Sequence, residues 1–181
     1  MKRYRRAILA IAAALVAASC APLLVTALRE QTVELSRYRT YGWAAVDGAV
    51  PGDPRLDNNP FFHQRVRAAI DRELQAHGFE PATSVPDLRV QYHASATQRI
   101  DIRGNDTATA VCHDCAAQVS DEGTLVIDLT DPDSGAIVWR GTGQTAVAAA
   151  VNDQARLERT VDRLVRRILD QLPRQEHDSV D

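Results

Sequence analysis

Apolar and polar positions alternate along this chain in a few distinct rhythms, and each rhythm predicts an element. Leu24 to Arg29 is short and mostly apolar and predicts a first strand. Ser36 to Trp43 carries Tyr38, Tyr41 and Trp43, residue types that suit a pleated, half-buried surface, and predicts a second. Ala44 to Asn59 contains Asp47-Gly48, Pro51-Gly52 and Asp53-Pro54 and reads as a connecting loop. Helical spacing follows: Phe62, Val66, Ala69, Ile70 and Leu74 fall on one face. Asn59 can cap this helix, Pro60 suits its first position, and Gly78 suits a left-handed stop.

The rhythm then changes to two. Leu88, Val90, Tyr92, Ala94 and Ala96 alternate with Arg89, Gln91, His93, Ser95 and Thr97, a strand with one buried and one wet face. Leu125, Ile127 and Leu129 repeat the pattern. Asp131-Pro132-Asp133-Ser134-Gly135 is a turn, since Pro fixes φ and Gly admits positive φ, so Ile137 to Val147 should return as an antiparallel partner. A last helix begins near Asn152 or Asp153, carries Leu157, Val161, Leu164, Val165, Ile168 and Leu172 as a stripe, and stops at Pro173. Residues 173–181 read as a frayed, disordered tail. The order ββαβββα, with one-sided strands and helices, predicts an α+β two-layer sandwich. It has a mainly antiparallel sheet of about five strands and two helices on one face.

The first residues follow another rule. Lys2, Arg3, Arg5 and Arg6 precede an apolar run from Ala7 to Ala18, too short to span a bilayer but of the length found in export signals. Val16-Ala17-Ala18-Ser19-Cys20 resembles the lipobox of bacterial lipoproteins, with Ala17 and Ser19 as departures from the commonest residues. The resemblance implies a signal peptide over 1–19, diacylglycerol on Cys20, cleavage before it, and acylation of the new amine. Residues 20–23 would then be anchor and short tether, and 24–172 the folded domain. Ala21 is not the Asp associated with inner-membrane retention, so the resemblance implies the outer membrane, facing the periplasm.

Charge changes with that processing. The full chain holds 21 basic and 24 acidic residues. Losing residues 1–19 removes four cations and no acid, leaving 17 against 24, a net −7. An acidic mature chain argues against nonspecific nucleic-acid binding. Membrane contact through the anchor and an envelope protein partner are the partners expected, with no cofactor.

Several stretches taken together carry a further resemblance: Ser36-Arg37-Tyr38-Arg39-Thr40-Tyr41-Gly42-Trp43, Asp53-Pro54-Arg55-Leu56-Asp57, the run from Val66 to Leu74, Gly78-Phe79, Pro86-Asp87-Leu88, the run from Glu122 to Leu129, and Ile137-Val138-Trp139-Arg140-Gly141. They resemble the DUF4136 family of bacterial lipoproteins from about Leu24 to Leu172. The resemblance implies an envelope lipoprotein with a compact α+β domain, and it carries no activity and no site residues. The stretch before Glu122 departs from the family, which tends there to be Gly-rich and aromatic. Here it reads Cys112-His113-Asp114-Cys115.

Candidate chemistry is sparse. Cys112 and Cys115 lie in a polar stretch from Arg103 to Gly123 that reads as a long loop. A disulfide suits two close thiols in an oxidising periplasm. A metal site on Cys112, His113 and Cys115 lacks a second ligand pair, and a redox pair lacks the helix N-terminus it needs. Covalent haem is excluded, because Ala116 stands where the ligating His would be. On the wet sheet face, Gln91, His93, Asp128 and Arg140 form a candidate binding set, while Asp87, Asp128 and Asp131 fit turn and strand-end roles. Glu73 falls inside the apolar arc of the first helix, where a carboxylate must pair, hydrogen-bond or protonate. Arg156, Arg159, Arg163, Arg166 and Arg167 share an arc of about 100° opposite the apolar stripe of the last helix. With no reactive constellation, the expectation is a non-enzymatic binding or structural module. The alternatives are a metal or redox module on the Cys112–Cys115 loop and a periplasmic enzyme using the open sheet face.

Overall fold

A computed structural model describes residues 23–30, 33–44, 56, 58–103, 116–147 and 153–175. Within them the elements are β1 (Leu23–Arg29), β2 (Thr40–Trp43), α1 (Pro60–Ala76), β3 (Glu80–Pro81), β4 (Leu88–Arg103), β5 (Ala116–Thr130), β6 (Ile137–Ala146) and α2 (Gln154–Leu169). The strands form one sheet in the order β1-β6-β5-β4-β2-β3. Pairings from β1 through to β4 are antiparallel, whereas β2 joins β4 and β3 in parallel. The fold is α+β as the patterning requires, with six strands instead of about five, because two-residue β3 has no sequence signal of its own.

Local signals explain α1. The Asn59 side chain accepts from the Phe62 amide at 3.1 Å and Pro60 opens the helix. At its end Gly78 takes φ 90°, donating to Gln75 O at 3.0 Å while Phe79 donates to Leu74 O at 3.1 Å. That pair of bonds is a Schellman cap, and both Phe79 and Leu74 are buried beside it. Helix α2 is capped by Asp153, which accepts from the Arg156 amide at 3.0 Å.

Both helices cover the same sheet face. Helix α1 meets β2 and β4 through Trp43 and Tyr92, which reach Asp71 and His63. Helix α2 lies on β6, where Gly141 and Gly143 let Ile168 and Leu164 approach the strand backbone. Leu88, Val90, Ile127, Leu129 and Trp139 from the sheet, with Val66, Ile70, Val165 and Ile168 from the helices, are almost wholly enclosed. Each such side chain contributes about 1.5–3 kcal/mol of burial.

Three boundaries depart from the sequence reading. Ser36 to Arg39 is not strand: Leu35–Arg37 forms a 3-10 turn, and β2 begins at Thr40. The stretch from Arg103 to Gly123 is not all loop, since residues 116–123 pair with Arg103 to Ala96 and extend the β4–β5 hairpin. Backbone hydrogen bonding across this ladder needs no apolar alternation, so the pattern missed it. The final helix ends at Leu169 and the chain stays packed to Gln175, past the tail boundary expected at Pro173. Gln175 is buried, its amide donating to His77 O at 2.9 Å and its side chain to Leu35 O at 3.2 Å. Cys20, Cys112, His113, Asp114, Cys115, the leader and residues 176–181 lie outside the described residues.

Candidate functional site

The wet-face set comes together in space. Asp128 sits mid-strand in β5, opposite Gln91 of β4 on one side and Arg140 of β6 on the other. Arg140 grips it with two bonds, Nε to Oδ1 at 2.6 Å and Nη2 to Oδ2 at 2.8 Å. His93 Nε2 stands 3.9 Å from Oδ2, beyond hydrogen-bond reach. Asp128 is therefore no strand-end residue, and it is 0% exposed even though its strand face is open. The cause is Arg140, which lies across it while keeping 42% of its own side-chain surface. Hydrogen bonding to Asp128 raises the guanidinium above its ordinary value, and partial burial opposes that rise. His93 Nδ1 is buried with no hydrogen-bond partner among the described residues.

Both oxygens of Asp128 are thus engaged and its charge is matched, which makes Asp128 and Arg140 a cross-strand staple and leaves this carboxylate with no free oxygen to act as base or ligand. Asp131 has a similar fate. Its Oδ1 accepts from the amides of Asp133 and Ser134 and from the Ser134 hydroxyl, while Oδ2 accepts from Tyr38 at 2.8 Å and Arg37 at 3.1 Å. The Ser134 amide, then the Tyr38 hydroxyl, hold this carboxyl well below the usual range. Asp87 likewise accepts from the amides of Arg39 and Thr40, in that order the causes of its lowered value, and ties β4 to β2. Burial pushes the Tyr41 hydroxyl up to about 12, away from acid–base work near neutrality.

Glu73 pairs across the helix layer. Arg166 of α2 approaches it at 3.6 Å and Arg72 at 3.5 Å. Asp162 of α2 meets Arg65 and Arg72 of α1 nearby. These five side chains form an interhelical ion-pair network. All five arginines of the α2 arc are exposed. Arg166 is paired with Glu73, and Arg156 lies 3.9 Å from Asp153. Arg159, Arg163 and Arg167 make no ion pair among the described residues.

A cavity of about 50 Å³ lies between the first turns of both helices and the far end of the sheet, walled by Phe62, Ala94, Leu125, Val147, Leu157 and Val161 among others. Small Ala94, Ala96 and Gly123 leave it room, and that run of small inward residues was its only signal. Neither His93 nor Asp128 lines it, so it adds nothing to the wet-face set. Among the described residues no group of three or more His, Cys, Asp or Glu is placed to hold a metal. Among them, too, no helix is long and apolar enough to cross a membrane.

The family model of DUF4136, a domain of unknown function, matches residues 25–174. No curated protein matches the sequence. Solved structures share the fold, among them the following two. A PDZ domain protein from Parabacteroides distasonis superposes with TM-score 0.52 at 15% identity, over 87% of this chain and 36% of that one. This chain therefore spans little more than a third of that protein. A PelC dodecamer from Paraburkholderia phytofirmans superposes with TM-score 0.50 at 13% identity, over 86% of this chain and all of that one. At such identities the likeness is one of fold.

Proposed function

The chain belongs to the DUF4136 family, and from that premise we propose that it is a bacterial envelope lipoprotein, anchored at Cys20, whose domain binds or supports other envelope components without catalysis. The observation that carries this reading is the leader. Four cations, a short apolar run and Val16-Ala17-Ala18-Ser19-Cys20 stand directly before a domain whose first strand opens at Leu23. More than one acyl chain gives a stable anchor, since each buried CH₂ adds about 0.8 kcal/mol. Ala21 favours the outer membrane, facing the periplasm.

The non-catalytic half of the proposal draws on how the polar groups are spent. Asp128 and Asp131 have both oxygens committed to neighbours, Asp87 accepts two amides through Oδ2, and Glu73 is ion-paired through Oε1. Acid–base or nucleophilic catalysis needs a group free to meet substrate. PelC, which shares the fold, is a dodecamer, so this fold can serve as the subunit of an assembly.

Expression in a bacterium with radiolabelled palmitate tests the anchor. The parent should take up label and mature to a shorter form. Cys20→Ala should remain an unlabelled precursor, because the residue is both acyl acceptor and the one after the scissile bond. Undiminished labelling of Cys20→Ala would end the proposal.

A further inference from the structure

Strand β1 is an edge that lacks the usual protection. Among the described residues it bonds to β6 on one side only. From Leu23 to Leu28 it carries no charge and no proline, and its one charge, Arg29, comes at the last residue. Exposed edges are ordinarily shortened, charged or broken by proline, and the opposite edge obeys: β3 has two residues and ends in Pro81. Leu23 and Val25 turn inward against the core. Their neighbours Leu24 and Leu28 stand on the outer face, 63% and 71% exposed. Two leucines four residues apart on one strand face form an apolar strip with nothing over it among the described residues.

The other flank of the same edge is basic. Helix α2 covers β6 and touches β1. Asp162 and Arg166 point to α1 through their ion pairs. Arg163 and Arg167 each come one residue later, about 100° further round the helix, which turns both away from α1; Arg163 points outward from the sheet and Arg167 leans to the β1 side. Both are exposed and, among the described residues, unpaired. Leucines thus lie on one side of the β1 edge and free guanidinium groups on the other.

The tether decides what meets this edge. Two residues, Ala21 and Pro22, separate Cys20 from Leu23, so three residue steps give a reach of at most about 11 Å. A domain held so closely cannot stand away from the bilayer, and the edge that the tether enters is the part brought against it. The mature chain is acidic overall, so unpaired guanidinium groups near the tethered edge are what would let it meet negative headgroups. Resting on the lipoprotein reading, we propose that the β1 edge is a bilayer-contact surface for anionic phospholipids. Leu24 and Leu28 enter the headgroup–acyl boundary, and Arg163 and Arg167 meet phosphates.

The test uses the chain from Cys20 to Asp181 with Cys20→Ser, which carries no acyl group, so its outcome is independent of lipidation. Vesicles of phosphatidylcholine, with or without one part in four phosphatidylglycerol, are sedimented at low salt. The protein should bind the anionic vesicles and lose most of that binding in high salt. Arg163→Gln with Arg167→Gln should weaken it about 25-fold, and Leu24→Asn with Leu28→Asn about tenfold or more on either vesicle. Arg89→Gln, on an exposed position of β4, should bind like the parent. Thermal melts by circular dichroism confirm that each variant is folded. No binding by the parent, equal binding to both vesicles, or undiminished binding by the double arginine variant would overturn the proposal. Absence of palmitate label in cells would instead sink the anchor, whatever the vesicles show.

Discussion

Replacing Arg140 by methionine removes a guanidinium and keeps most of its aliphatic stem, so the change isolates the charge that covers Asp128. In the parent both Asp128 oxygens take a hydrogen bond from Arg140, at 2.6 and 2.8 Å. In the variant the nearest basic atom is His93 Nε2 at 3.9 Å, too far for a hydrogen bond. Breaking one side of a buried ion pair costs about 3–5 kcal/mol, because a charge is left enclosed and unmatched. Arg140 keeps 42% of its side-chain surface in water, so solvent can reach the carboxylate once the guanidinium is gone, and the lower figure, about 3 kcal/mol, applies. Against a domain stability of about 5–15 kcal/mol that is a large share, equal to a fall in Tm of roughly 6–12 °C. Urea denaturation followed by circular dichroism would measure it. Asp128→Leu with Arg140→Leu should recover most of the loss, since an apolar pair of similar volume carries no desolvation penalty. An Arg140→Met variant within about 1 kcal/mol of the parent, or a double variant no better than the single one, would refute the staple.

Gly141→Ala should destabilise the domain by about 1–3 kcal/mol through overpacking. A Cβ there would lie 2.4 Å from Ile168 Cγ2 and 2.4 Å from Trp139 Cη2, and the stiffer unfolded chain offsets at most about 1 kcal/mol. A stabilised variant in the same urea assay would contradict the close approach of α2. Asp131 has a folded value depressed below that of the unfolded chain, about 3.9, so its contribution is complete above pH of about 4 and is lost as pH falls through the folded value. The stability gap between the parent and Asp131→Asn should therefore be present at neutral pH and narrow below pH of about 4, and a gap unchanged in acid would sink the assignment. Protein purified from the envelope should show Cys112 and Cys115 joined, with no thiol open to labelling, and Cys112→Ser with Cys115→Ser should lose less than about 3 kcal/mol because the ring is short. Two labelled thiols with one bound metal ion would replace the disulfide by a metal site.

Sequence alone determined those parts of this protein whose causes are local. Helix α1 was legible from Asn59-Pro60 to Gly78 because a cap, a first-turn proline and a positive-φ stop each act within a few residues of themselves. The β5–β6 hairpin was legible because Asp131 to Gly135 make their turn from their own side chains and dihedrals. Periodicity of 2 and 3.6 then sorted inner from outer faces and gave the two layers. The partners of charged groups needed the tertiary structure. Glu73 was visibly misplaced on its helix, yet its counter-charge Arg166 comes from α2, and no pattern in α1 points there. Asp128 fell on the open face by period two, but its burial depends on register, which sets Arg140 directly opposite. The parallel joining of β2 to β4 around α1, the polar extension of the β4–β5 ladder and the docking of Gln175 under Gly78 were also decided in space. Each consists of backbone bonds or contacts between distant segments, and the residues that make them carry no mark of the partner they will meet.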